Sequence, residues 1–301
     1  MPAITTIPAF YPTQFETNWM TLAQQKESRL MSTVTQQRVN GKEKRMNQLG
    51  QRTMQQITGR AQATRISDQT TAARWLSPYP FDDASLFDRW DEEFLGEIVL
   101  PQSDIISQMV AGYNRSVDQT ILTAAVASSR TGTDGLTLTA LPAGQLVAVD
   151  FVEQGTAANS GMTIAKLRQA KYIMDVADVD DEERYLAYSA KQVQDLLRTT
   201  EITNSDYNTI KALVTGQIDT YMGFKFKRVS AALLPYVTAT DVRACVAYAK
   251  SGIALTDTGV KASIVVRHDL SDALQVRVEA AYGATRLEEV KVVEIFCDES
   301  P

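Results

Sequence analysis

Gly283-Ala284-Thr285-Arg286-Leu287-Glu288-Glu289-Val290-Lys291-Val292-Val293-Glu294-Ile295-Phe296 decides how the rest of the chain is read. Val290 to Phe296 is rich in β-branched residues and predicts a strand, as does Ala273 to Tyr282 before it. Gly283-Ala284-Thr285-Arg286 then reads as the turn between them. Moving toward the N-terminus, Lys261 to Arg267 and Val242 to Ile253 predict further strands. Met222, Phe224 and Phe226 alternate with Lys225 and Lys227, the two-residue period of a half-buried strand. Arg184 to Ser189 predicts another strand and Lys191 to Thr199 a helix. Ser205 caps a helix from Asp206 to Thr215, which Gly216 closes.

Ser103 caps a longer predicted helix, Asp104 to about Ala127, with Asp104 favourably placed in its first turn. Its apolar stripe is Ile105, Ile106, Met109, Val110, Tyr113, Val117, Ile121 and Ala124, and Arg115 and Asp118 fall outside that stripe. A Thr/Gly loop at 131–135 precedes a predicted strand, Gln145 to Val152. A second amphipathic helix, Thr163 to Ala177, buries Ile164, Leu167, Ala170, Met174 and Ala177. The carboxylates that follow, Asp175, Asp178, Asp180, Asp181, Glu182 and Glu183, lack the glycine and spacing of a calcium hand and read as a solvated turn. Strands and helices without strict alternation predict an α+β fold.

At the N-terminal end, Phe15, Trp19, Leu22, Lys26, Leu30 and Val34 recur at helical spacing and predict a helix over 12–34. Residues 35–58 are polar, with isolated apolar positions such as Val39, Met46 and Leu49. They read as an arm ordered by what it lies on, or as a plain tail. From Ile57 to Val99 short extended pieces follow, Ala61 to Ile66 with Arg60 and Arg65, then Ala72 to Leu76, then a Pro78/Pro80 turn. Trp75, Tyr79, Phe81, Phe87, Trp90 and Phe94 interleave with Asp82, Asp83, Asp88, Asp91, Glu92, Glu93 and Glu97. A two-stranded excursion has too little core to shelter so many rings, so they read as interface anchors or as ordinary core strands.

Composition excludes several function classes. Of 301 residues, 44% are apolar and 22% charged, which predicts a globular chain. Uncharged stretches are too short to span a bilayer, and no basic segment precedes an apolar one at the N-terminus, so a cytoplasmic protein without membrane contact is expected. The single histidine, His268, argues against imidazole-based triads and zinc sites. It reads as a strand or loop residue without chemistry. Cys245 and Cys297 fit reduced buried thiols, and neither GxGxxG nor GxxxxGK[ST] occurs. No catalytic, metal or cofactor residue is nominated. Residues 1–74 hold ten Lys and Arg against four Asp and Glu, leaving 20 against 32 for the rest. Such a basic arm suits nucleic acid or an acidic surface of the same or a neighbouring chain.

Asp206-Tyr207-Asn208-Thr209-Ile210-Lys211-Ala212-Leu213, then Gly223-Phe224-Lys225-Phe226, and the opening stretch 283–295 resemble the corresponding parts of major capsid proteins of tailed phages, which have the Hong Kong 97 type capsid fold. From about residue 50 onward the order of elements resembles that family too. The resemblance implies an N-terminal arm (1–56), an extended loop (57–97), a peripheral domain (98–183) with a spine helix at 163–177, an axial domain (184–258) and return strands (259–301). It implies a non-enzymatic shell subunit that assembles through hexamers and pentamers, inside the host cytoplasm, into a virion capsid. The implied partners are a separate scaffolding protein, a portal protein, packaged double-stranded DNA touched weakly and without sequence preference, and room for a decoration protein. Trp19, Arg60, Arg65, Trp75, Phe81, Phe87 and Trp90 are the subunit-interface candidates. An encapsulin-like compartment and another virion structural protein are the alternatives. A carboxylate-pair hydrolase using Asp82 to Glu97 beside Trp90 has no second constellation to support it.

Overall fold

The computed structural model describes residues 24–64, 66–87, 102–198, 220–237, 240–270 and 272–300. The first half of the chain forms β1 (Thr35–Gln36), β2 (Lys44–Leu49), β3 (Thr71–Leu76), β4 (Tyr79–Phe87), α1 (Gln102–Val126), β5 (Ser129–Thr131), β6 (Thr137–Thr139) and β7 (Leu146–Val147). The second half forms α2 (Ile164–Val176), β8 (Arg184–Tyr188), α3 (Ala190–Arg198), β9 (Thr220–Tyr221), β10 (Phe224–Arg228) and β11 (Tyr236–Val237). It closes with β12 (Val242–Ala249), β13 (Ile253–Asp257), β14 (Lys261–Arg267), β15 (Ala273–Arg286) and β16 (Val292–Asp298).

Among the described residues three sheets result. One runs β7-β16-β12-β8-β10-β9 with β11 on β12, the second β1-β13-β15-β14 with β4 on β15, and the third β2-β3-β5-β6. β12 is flanked by antiparallel β16 and β8 and is buried almost throughout, which is why its sequence is a near-continuous apolar run rather than an alternation. Thr163 caps α2 by accepting from the Lys166 N–H, and the helix buries Ile164, Leu167, Ala170 and Met174 in the main core. α1 serves two cores. Val117, Ile121, Leu122 and Ala125 enter the main one, whereas Met109 meets Val276 and Val278 of β15 in a second.

Several expectations are corrected. The described part of the predicted 12–34 helix, from Gln24 on, is an extended strap with one 3-10 turn at Met31–Thr33. Leu30 and Val34 are buried, so their four-residue spacing marks two anchor points of a strap; Phe15, Trp19 and Leu22 lie outside the described residues. Among the described residues of the expected two-stranded excursion within 57–97, β3 pairs with β2 from the polar arm and β4 pairs with β15, while 88–97 lie outside the described residues. Residues 61–64 and 66 are exposed coil rather than extended pieces of a sheet. The strand expected at Gln145–Val152 contracts to β7, and the one at Val242–Ile253 breaks at a 3-10 turn, Lys250–Gly252. Gly283 to Arg286 is not a turn; β15 runs through it, and the chain turns at Glu289–Lys291. Asp118, expected off the apolar stripe, is fully buried. The predicted Asp206–Thr215 helix with Ser205 and Gly216 lies outside the described residues.

Candidate functional site

The end of β15 is where the three sheets and α1 are joined. A Cβ on Gly283 would stand 2.1 Å from the Ser77 carbonyl oxygen and 3.3 Å from the Pro78 Cα, so only glycine lets the β3–β4 connection cross here. Arg286, fully buried, donates through Nη1 to the carbonyls of Ala125 and Ala127 at 2.7 Å and through Nη2 to Thr139 at 3.0 Å. It thereby satisfies carbonyls at the α1 C-terminus with a cation, the charge that end of a helix favours. Burial lowers its pKa. Arg74 of β3 grips Glu289 with Nη2 at 2.8 and 2.7 Å and donates Nε–H to the Leu287 carbonyl, to which Gln48 of β2 also donates.

Two surfaces project from this junction. The tip of the β2–β3 hairpin, residues 50–70, leaves Met54 at 102% and Ile66 at 92% relative exposure, together with exposed Ile57, Arg52 and Arg60. The second surface is the β4-β15-β14 ladder. On one face Lys261, Glu279 and Asp82 share a rung, and Arg277 stands next to it, 3.2 Å from Asp82 and 3.4 Å from Glu279. On the other face the Val276 and Val278 side chains meet α1, while Ile264 and Val266 of the outer strand stay half exposed.

A family model described as phage capsid protein matches residues 7–299. The chain belongs to the phage capsid protein family. The structure is similar to the capsid of cyanophage P-SCSP1u, at 16% identity over 97% of this chain and 94% of that one, with a TM-score of 0.70. It is also similar to the capsid of Ralstonia phage GP4, at 9% identity over 100% of both chains and a TM-score of 0.70. The head structure of Helicobacter pylori bacteriophage KHP40 matches at 10% identity over 97% of each chain, with a TM-score of 0.69. No curated protein matches the chain. The fold is the Hong Kong 97 type capsid fold, and the protein is a phage major capsid protein, a structural subunit of a multimeric shell in the virion.

In this capsid protein the nominated interface residues sit in different places. Trp75 is half buried: its indole N–H donates to the Gly132 carbonyl at 2.9 Å, and its ring lies against Gly135. Phe81 stacks on Tyr282 at 4.3 Å yet remains 45% exposed, between open grooves of about 420 and 160 Å³. Phe87 packs beside Met109 and Val276. Arg60 is exposed on the hairpin tip, and Trp19, Arg65 and Trp90 lie outside the described residues.

Sequence reasoning missed the buried polar groups. Lys166 is fully buried in α2, and its ammonium donates to the carbonyls of Val149, Ser160, Gly161 and Phe296 at 2.6–3.0 Å, tying the 149–161 segment to β16. Burial lowers its pKa. The acidic turn after α2 serves buried Arg184, which meets Asp175 at 2.5 Å and Asp181 at 3.2 Å. Cys245 and Cys297 are buried free thiols on neighbouring strands, and the hydrogen bond between them, then burial, holds the Cys245 thiol well above its usual range. His268 is an exposed turn residue 2.6 Å from Asp272. Among the described residues no cluster of His, Cys, Asp or Glu has metal-binding spacing, and no helix is long and apolar enough to cross a membrane.

Proposed function

We propose that this capsid protein closes an icosahedral shell through hexamers and pentamers around a double-stranded DNA genome, and that the hairpin tip at 50–70 is the element that reaches a neighbouring subunit. The observation that carries this is the exposure of Met54, Ile57 and Ile66 on a segment that also presents Arg52 and Arg60. Apolar side chains displayed on an extended segment gain their burial only from a partner. The charge balance of the sequence, basic at 1–74 and acidic beyond, makes the body of a second copy that partner. Arm 1–56, loop 57–97, peripheral domain 98–183, axial domain 184–258 and return strands 259–301 are our proposed division, with 44–49 supplying the loop's first strand. A non-enzymatic role, assembly in the host cytoplasm, a separate scaffolding protein, a portal protein and weak, non-specific contact with DNA complete the reading; an acidic body suits a lining past which a genome must slide.

Replacing Met54 and Ile57 together by Ser tests it. Subunit Tm should stay within about 2 °C, because these side chains touch little of the described residues of their own chain, while the concentration needed for shells seen by electron microscopy and sedimentation should rise about tenfold or more. Unchanged assembly would remove the tip from the interface. Deleting residues 1–23 should likewise leave a folded subunit that assembles poorly, and normal assembly would remove the arm.

A further inference from the structure

The middle of α1 presents Asn114, Arg115 and Asp118 to the strap at residues 24–30. Asp118 is 0% exposed. Its Oδ1 accepts from Ser28 Oγ at 2.6 Å and the Leu30 N–H at 3.1 Å, and its Oδ2 accepts from the Arg29 N–H at 3.0 Å and from Gln25 Nε2. Asn114 Nδ2 donates to the Lys26 carbonyl at 2.7 Å, and Arg115 Nη1 donates to Gln24 Oε1 at 2.7 Å. Downstream the strap needs no such help: Leu30 and Val34 are core residues, Thr33 hydrogen-bonds Tyr248 at 2.6 Å, and β1 joins β13. Burying a carboxylate among neutral donors is costly, and an apolar side chain would anchor the strap as well. What a carboxylate with four directed partners adds is orientation.

We propose that Asp118 is a positioning residue for assembly: its grip on residues 25–30 fixes where, and in which direction, the N-terminal arm leaves its own subunit before subunits meet. This rests on the reading of the arm as an assembly element, which the deletion of residues 1–23 tests by itself. The full chain carrying Asp118→Asn keeps the side-chain shape but loses the charge that holds the donors. Trypsin should cut after Lys26 or Arg29 at least about tenfold faster, and the concentration needed for assembly should rise by a similar factor. A flexible Gly-Ser linker of about eight residues inserted between Ala23 and Gln24 leaves the grip intact but erases the direction it imposes. It should impair assembly as Asp118→Asn does, and the two changes together should do no more than one. Multiplying effects would make Asp118 an ordinary core residue and overturn the proposal, as would normal assembly by the linker insertion or unchanged cleavage in Asp118→Asn. Should that variant fail to fold, Ser28→Ala removes one donor and carries the same comparison.

Discussion

Gly283→Ala adds one methyl group at the junction, and the structure says it does not fit. The new Cβ would lie 2.1 Å from the Ser77 carbonyl oxygen and 3.1 Å from the Ser77 carbonyl carbon. Carbon–oxygen contacts begin at about 3.3 Å, so β15 and the Ser77–Pro78 connection must part by roughly 1 Å. Both neighbours are backbone, so no side chain can swing aside. One register position away Tyr282 pairs with Tyr79, and on the opposite edge Gly283 pairs with Thr256, so any shift disturbs two ladders at once. Overpacking of this kind costs about 2–3 kcal/mol, which lowers the Tm of the unassembled 301-residue subunit by roughly 3–5 °C. Gly144→Ala is the control, since nothing lies within 4 Å of its Cβ position, and its Tm should move by less than about 2 °C. Thermal unfolding followed by circular dichroism decides it. A Gly283→Ala subunit that melts with the wild type would refute the close-approach argument.

Other perturbations follow from the same contacts. Arg74→Ala leaves Glu289 without its two-pronged, mostly buried partner and should cost about 3 kcal/mol in denaturant unfolding, whereas Arg168→Ala, whose pair with Glu153 is exposed, should cost under about 1 kcal/mol. Lys166→Met deprives four carbonyls of their donor and should speed hydrogen exchange throughout 149–161, with a stability loss of about 3 kcal/mol. Burial raises the Glu294 pKa above 4.5, so the folded subunit binds that proton more tightly than the unfolded chain. Its contribution to stability is therefore present below about pH 4.5 and lost as pH rises through the folded value; in Glu294→Gln the wild-type-minus-variant difference in unfolding midpoint should fall across that window and be flat below it.

Much of the architecture is legible from local chemistry. α1, α2 and β16 carry periodic patterns because each buries one side against the core, whereas β8 is buried almost throughout and β14, an exposed outer strand, is legible from its β-branched residues alone. The 283–286 segment reads as a turn, yet is strand, because glycine signals a turn and a close backbone approach with the same letter. β2 escaped notice because it lies in a polar sequence and its burial alternates only between partial and exposed. Asp118 could not be found by hydropathy: a carboxylate on a helix reads as solvent-facing until the donors of residues 25–30, some ninety positions away, are placed around it. The hairpin tip is the converse case, where exposed Met54 and Ile57 only acquire meaning once no described residue of their own chain covers them.

β16 lies inside its sheet, between β7 and β12, and β15 lies inside its own, between β13 and β14. A ribosome releases these residues after everything from β1 to β14, so an incomplete chain has two gaps where its central strands belong. Until they are filled, β12 and β13 each lack a neighbour, and Arg286, the cation that satisfies the carbonyls at the end of α1, is itself still missing. A half-made subunit thus has no finished outline to offer a growing shell. Both sheets are complete only once the chain extends to residue 298.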